Sequence, residues 1–188
     1  MTKIKNNPIM KGASGMLGDT VVYREHRGKV IMSNRPKTGG ILTPNQERAK
    51  SRFKSAVAYA KLMTADPVTK AEYQPSKTSK FTSAYSVALT DFLTAPKVNL
   101  IDAGRYGGQI GDEILIKAVD DFKVTQVQIS IFAAGGNLLE QGVVALVPGT
   151  VEDFLYTATV ANALLPGTKI VVTVRDKAGN VTTEEKIL

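Results

Sequence analysis

Cysteine and tryptophan are missing from this chain altogether, and histidine occurs once, as His26. The lack of cysteine excludes disulfides, thiolate nucleophiles and cysteine-based zinc sites. A single histidine excludes a multi-histidine metal centre. With no G-x-S-x-G motif it also leaves no nucleophile–base pair of the hydrolase kind. No apolar run approaches the ~20 residues that a membrane-spanning helix needs. The opening stretch MTKIKNNPIMKGASG is charged but lacks the apolar segment of a secretory leader. The expected location is therefore cytoplasmic, or virion-associated by a route that needs no leader.

What is present suits a folded protein. The 188 residues are 43% hydrophobic, enough to bury a core in one large domain or two small ones. Charge is distributed unevenly. Residues 1–96 carry 16 Lys and Arg against 6 Asp and Glu, a balance of +10, whereas residues 97–188 carry 8 against 11, a balance of −3. Such asymmetry suggests two modules in different surroundings. It fits a basic half that contacts nucleic acid, or one that packs on an acidic neighbour.

The chain is organised around Gly12–Lys37, which is basic, glycine-punctuated and rich in β-formers. Val21, Tyr23 and Glu25 alternate with Val22, Arg24 and His26, and a second β-rich run covers residues 29–33. Together they predict a hairpin that turns at Arg27-Gly28. No Gly-Lys-Ser/Thr closes the glycine run and a strand follows it, which excludes both the phosphate-binding loop and the dinucleotide fingerprint. The residues before it are polar and basic and are expected to fray.

Thr43-Pro44-Asn45-Gln46 has the composition of a capping box with proline at the first helical position. Ala49, Phe53, Ala56, Val57, Ala60 and Met63 then recur at helical spacing, flanked by Arg48, Lys50, Arg52, Lys54 and Lys61, until Asp66-Pro67 stops the helix. A short helical turn is expected over 68–74, and a second amphipathic helix over about 79–93, with Phe81, Ala84, Tyr85, Ala88, Leu89, Phe92 and Leu93 on its apolar stripe. The two long helices are expected to pack antiparallel, burying Phe53 and Val57 against Tyr85 and Leu89.

At Ala95-Pro96 the period changes to two, which marks the expected domain boundary between 1–96 and 97–188. Seven strands are predicted, over 98–103, 113–119, 123–133, 137–146, 153–160, 168–175 and 180–188. Turn signals such as Asp120-Asp121, Gly135-Gly136-Asn137, Pro148-Gly149 and Pro166-Gly167 separate them. Short strands at this spacing indicate an antiparallel sandwich. The runs VTQVQISIFAAGGNLLEQG and TKIVVTVRDKAGNVTTEEKIL resemble a bacterial immunoglobulin-like module. That resemblance implies a role as a spacer, an adhesion unit or a decoration of a phage particle. The cysteine pair and buried tryptophan of antibody domains are absent. The GxLGDxVxYR…RGK…RP pattern with its T-x-x-Q helix resembles an uncharacterised protein family of Bacteroidota genomes, which implies no activity. The expected fold is an α+β N-terminal module, a β-hairpin plus an antiparallel helix pair, followed by an all-β immunoglobulin-like sandwich.

Asp102, Asp112, Glu113, Asp120, Asp121 and Asp176 fall near strand ends. Loop carboxylates can ligate calcium, but they also accept backbone hydrogen bonds in turns, and the contiguous EF-hand spacing is missing. No catalytic residue, cofactor or metal is assigned from the sequence. The chain reads as a non-enzymatic, self-associating or particle-associated protein, partnered by copies of itself in a homo-oligomer or larger particle. Sequence-independent nucleic-acid binding is the alternative, and surface or carbohydrate adhesion a second one. The residues expected to touch a polyanion or a partner are Arg24, Arg27, Lys29, Arg35, Lys37, Arg48, Arg52 and Lys54. No small-molecule substrate is identified and no membrane contact is expected.

Overall fold

β-Formers arranged with period two and separated by glycine or proline turns give sheets, and most of this chain is built that way. The computed structural model describes residues 2–4, 12–26, 29–36, 40–74 and 82–188. The chain forms two compact units, Met1–Glu47 and Arg48–Leu188. The change of period at Ala95-Pro96 is thus a change of secondary structure inside the second unit.

In the first unit the strands β1 (Thr2–Ile4), β2 (Gly15–Leu17), β3 (Val21–His26) and β4 (Lys29–Asn34) make one antiparallel sheet in the order β1-β4-β3-β2. The β3–β4 hairpin closes with His26 opposite Lys29, as the alternation predicts, and its turn residues Arg27 and Gly28 lie outside the described residues. The expectation of a frayed start is corrected at Thr2–Ile4, whose backbone pairs with Val30–Met32 on the free edge of β4.

The second unit contains most of α1 (Pro44–Ala65), then α2 (Pro67–Tyr73) and α3 (Ala84–Leu93). The predicted capping box is formed: Gln46 N donates to Thr43 Oγ1 and Thr43 N to Gln46 Oε1. Asp66 caps α2 by accepting from Thr69 N, and Ser83 caps α3. The expected burial of Phe53 is corrected. It is 51% exposed, and every residue from Pro44 to Ser55 is exposed, because only the later turns of α1 meet a packing surface. Ala60 packs there with Tyr73, Ala84, Val87 and Ala88, flanked by Tyr59, Met63, Tyr85, Leu89 and Phe122.

Two four-stranded antiparallel sheets follow. One has the order β5 (Lys97–Arg105), β6 (Glu113–Val119), β10 (Asp153–Thr157), β9 (Ala145–Leu146). The other has the order β12 (Val181–Ile187), β11 (Lys169–Asp176), β7 (Val124–Phe132), β8 (Leu138–Val143). Their inner faces share one core, to which Ile114, Ile116 and Phe154 contribute from the first sheet and Ile129, Ile131, Ile170, Val172 and Val174 from the second. This is a β-sandwich arrangement with regular in–out alternation. The run predicted as one strand over 137–146 is two. At the buried Val144 the chain leaves β7, with Val144 N still donating to Val127 O, and its next residues pair with β10 in the opposite sheet.

The loop after β5 shows how tightly the sandwich ends are built. Gly108 has φ +84°, and a Cβ there would lie 2.2 Å from Asn162 O. Gly111 has φ +95° with open space around it. Gly108→Ala should therefore cost on the order of 3 kcal/mol in urea unfolding, and Gly111→Ala only the positive-φ penalty of about 1 kcal/mol. Equal costs would show that the Asn162 contact does not matter.

Candidate functional site

The basic residues divide between the two units. In the first, cross-strand register places Met16, Val22, Arg24, His26, Lys29, Ile31 and Ser33 on one face of the sheet. Leu17, Val21, Tyr23, Glu25, Val30, Met32 and Asn34 lie on the other. One face is thus basic and the other mainly apolar. Arg24 reaches Ser33 Oγ at 3.4 Å and Lys29 is exposed. Arg35 is ion-paired with Asp19 at 2.7 Å in an exposed setting, where such a pair contributes little. Arg27 and Lys37 lie outside the described residues. In the second unit Arg48 and Lys54 are exposed on α1, while Arg52 donates to Leu93 O at 3.2 Å, satisfying a carbonyl at the end of α3.

The loop carboxylates behave in two ways. Asp102 accepts from Gly104 N, Asp112 from Gly107 N and Gln109 N, and Glu113 pairs with Arg105, all of which is turn and surface chemistry. Asp120 and Asp176 also accept backbone bonds, Asp120 from Phe122 N and Lys123 N, and Asp176 from Asn180 N. Unlike the others, these two converge with a third carboxylate that the sequence reading missed, Asp91. One oxygen from each of the three lies within 4.8 Å of the other two.

The local sequence explains the convergence. Ala84, Val87, Ala88 and Asp91 are the buried residues of α3, at helical spacing, so Asp91 occupies the end of an otherwise apolar face. A carboxylate in that position was the available signal. Asp120 begins the β6–β7 turn, and Asp176 ends β11 at the hairpin into β12. Asn180 ties two of these segments together, the β11–β12 hairpin and the end of α3: its Nδ2 reaches Asp176 Oδ2 at 2.7 Å, Asp91 O at 3.0 Å and Thr94 O at 3.1 Å. Tyr73, fully buried and stacked on Phe122 with ring centroids 4.1 Å apart, donates to Asp91 Oδ2 at 2.7 Å and meets Tyr59 Oη at 2.8 Å.

Asp91 is 0% and Asp176 2% exposed. Asp91 Oδ1 and Asp120 Oδ1 are buried with no hydrogen-bond partner among the described residues. None of the ion pairs among the described residues involves Asp91, Asp120 or Asp176. Burial pushes Asp91 up to about 6; the Tyr73 hydrogen bond opposes this, and the charges of Asp120 and Asp176 add to it. Burial also raises Asp120, against its backbone donors. Tyr73 is pushed far up by burial and by its bonds to Tyr59 and Asp91, so it stays a donor. The arrangement can hold a shared proton or a cation.

Elsewhere, Glu140 is buried in the sandwich, but its Oε2 accepts from Tyr156 Oη, Thr159 N and Thr159 Oγ1. A cleft of about 570 Å³ runs beside the β6–β7 turn; the charged residues in its lining are Asp120, Lys123 and Glu152.

The Asp91 shift gives a signed prediction for protein in buffer free of divalent ions. A carboxyl raised in the folded state destabilises fully above its folded pKa and not at all below its unfolded value. Stability should therefore rise by about 2 kcal/mol as pH falls from 7 towards 4.5, and Asp91→Asn should flatten that profile. A wild-type profile that instead falls with decreasing pH over this range would contradict the assignment. No family model, curated protein or solved structure matches this chain.

Proposed function

We propose that this chain is a non-enzymatic structural protein that assembles with copies of itself through its N-terminal sheet, in a homo-oligomer or larger particle. Support comes from the exposure of that sheet. Among the described residues of 12–47 no side chain is buried, although Leu17, Val21, Tyr23, Val30 and Met32 share one face. A sheet with one apolar face gains its stability by covering it. The opposite face, with Arg24, His26 and Lys29, suits an acidic surface.

The second unit is the stable, projecting part in this reading. The order β5-β6-β10-β9 over β12-β11-β7-β8 corresponds to the A-B-E-D and G-F-C sheets of the immunoglobulin constant type with one extra edge strand, which supports the immunoglobulin-like resemblance. Such modules suit scaffolding and particle decoration. Sequence-independent nucleic-acid binding is less well supported, because Tyr23 lies on the face opposite Arg24 and Lys29 and cannot stack a base beside their phosphate contacts.

Light scattering tests this. The wild type should exceed monomer mass at low salt, and Tyr23→Asp with Met32→Asp should return it to a monomer with the sandwich still folded. A wild type that stays monomeric at high concentration and low salt would rule the proposal out. Duplex DNA binding whose log K falls about 0.9 per neutralised phosphate with log salt would favour the alternative.

A further inference from the structure

We infer that Asp91, Asp120 and Asp176 form a binding site for a hard divalent cation, calcium by its tolerance of several protein carboxylates, that fastens α3 to one end of the sandwich. Three observations carry this. The donors are all carboxylate oxygens, the ligand type of hard cations. Their oxygens lie within 4.8 Å of one another, close enough for one ion to reach all three. Most telling, Asp91 is fully buried with Oδ1 unpartnered, and Asp120 Oδ1 is unpartnered as well. A buried carboxylate oxygen without a donor bears a desolvation cost that a coordinated cation removes.

The remaining oxygens are already arranged for such a role. Asp91 Oδ2 is occupied by Tyr73 and Asp120 Oδ2 by two backbone N–H groups, while both Asp176 oxygens accept from Asn180, Oδ1 from its N and Oδ2 from its Nδ2, so Asp176 would ligate through a second lone pair. These bonds fix each carboxylate in orientation, as outer partners do around a metal. The ligands come from a helix, a β-turn and a strand end, so a bound ion would cross-link elements far apart in sequence. The inference is independent of self-assembly through the N-terminal sheet.

The full-length protein, stripped with chelator, provides the test. Calcium at a hundredfold excess over its Kd should raise Tm by about 5 °C or more. Terbium, standing in for calcium, should luminesce when tyrosine is excited, because Tyr73 touches a ligand. Asp91→Asn keeps the acceptor for Tyr73 and should lose both responses, as should Asp120→Asn; Asp121→Asn, on the exposed neighbour, should retain them. Circular dichroism confirms that each variant is folded. A Tm that calcium, magnesium and manganese all leave unmoved overturns the inference. So does terbium luminescence undiminished in folded Asp91→Asn or Asp120→Asn.

Discussion

Negative charge buried at the meeting of helix and sheet is the constraint on which the second unit turns. Asp91 is taken fully out of water, and two further carboxylates stand beside it. Burial of this kind is tolerated only where donors or a counter-charge answer it. The donors come from three directions: Tyr73 from α2, the backbone of the β6–β7 turn, and Asn180 from the β11–β12 hairpin. The bonds to Asp120 and Asp176 stay within their own turns and that from Tyr73 joins α2 to α3, while Asn180 Nδ2, on Asp91 O and Thr94 O, holds α3 against the sandwich. Thr182 Oγ1 on Pro96 O and the Lys177–Glu72 ion pair extend that attachment. The helices are therefore part of the same unit as the strands rather than a module ahead of them.

The first unit follows a different logic. Its strands are short, its register is set by a two-residue hairpin, and its side chains stay accessible among the described residues. Backbone pairing organises it, with no buried cluster among its described residues. The apolar face of this small sheet is where the proposed self-assembly would act, since covering it removes apolar surface from water.

The sandwich was legible in the sequence because each of its strands repeats with period two and ends at a glycine, proline or aspartate turn. Glu113–Val119 was read with its observed boundaries, and Val127, Ile129 and Ile131 face the core as their alternation requires. The crossing at Val144 was not legible: the residues over 137–146 show no clean alternation, with Leu138-Leu139 and then Val143 to Leu146 apolar in succession, and only the partner strands decide where the chain changes sheet. Nor were β1 and β2, at three residues each too short to show a period. Helical spacing grouped Phe53 with Ala56 and Ala60 correctly by face, but spacing says nothing of how far along α1 a packing surface extends. The candidate site was half visible. Asp120 and Asp176 stood out as turn carboxylates, whereas Asp91 was masked by the apolar residues around it.

Native-state hydrogen exchange tests most directly whether α3 and the sandwich are joined into one cooperative unit through Asp91, Asp176 and Asn180. The amides of Val87 to Phe92 should open with nearly the same free energy as those of Ile129 and Val172 in the central strands. Helix amides that exchange freely while the strand amides remain protected would contradict it.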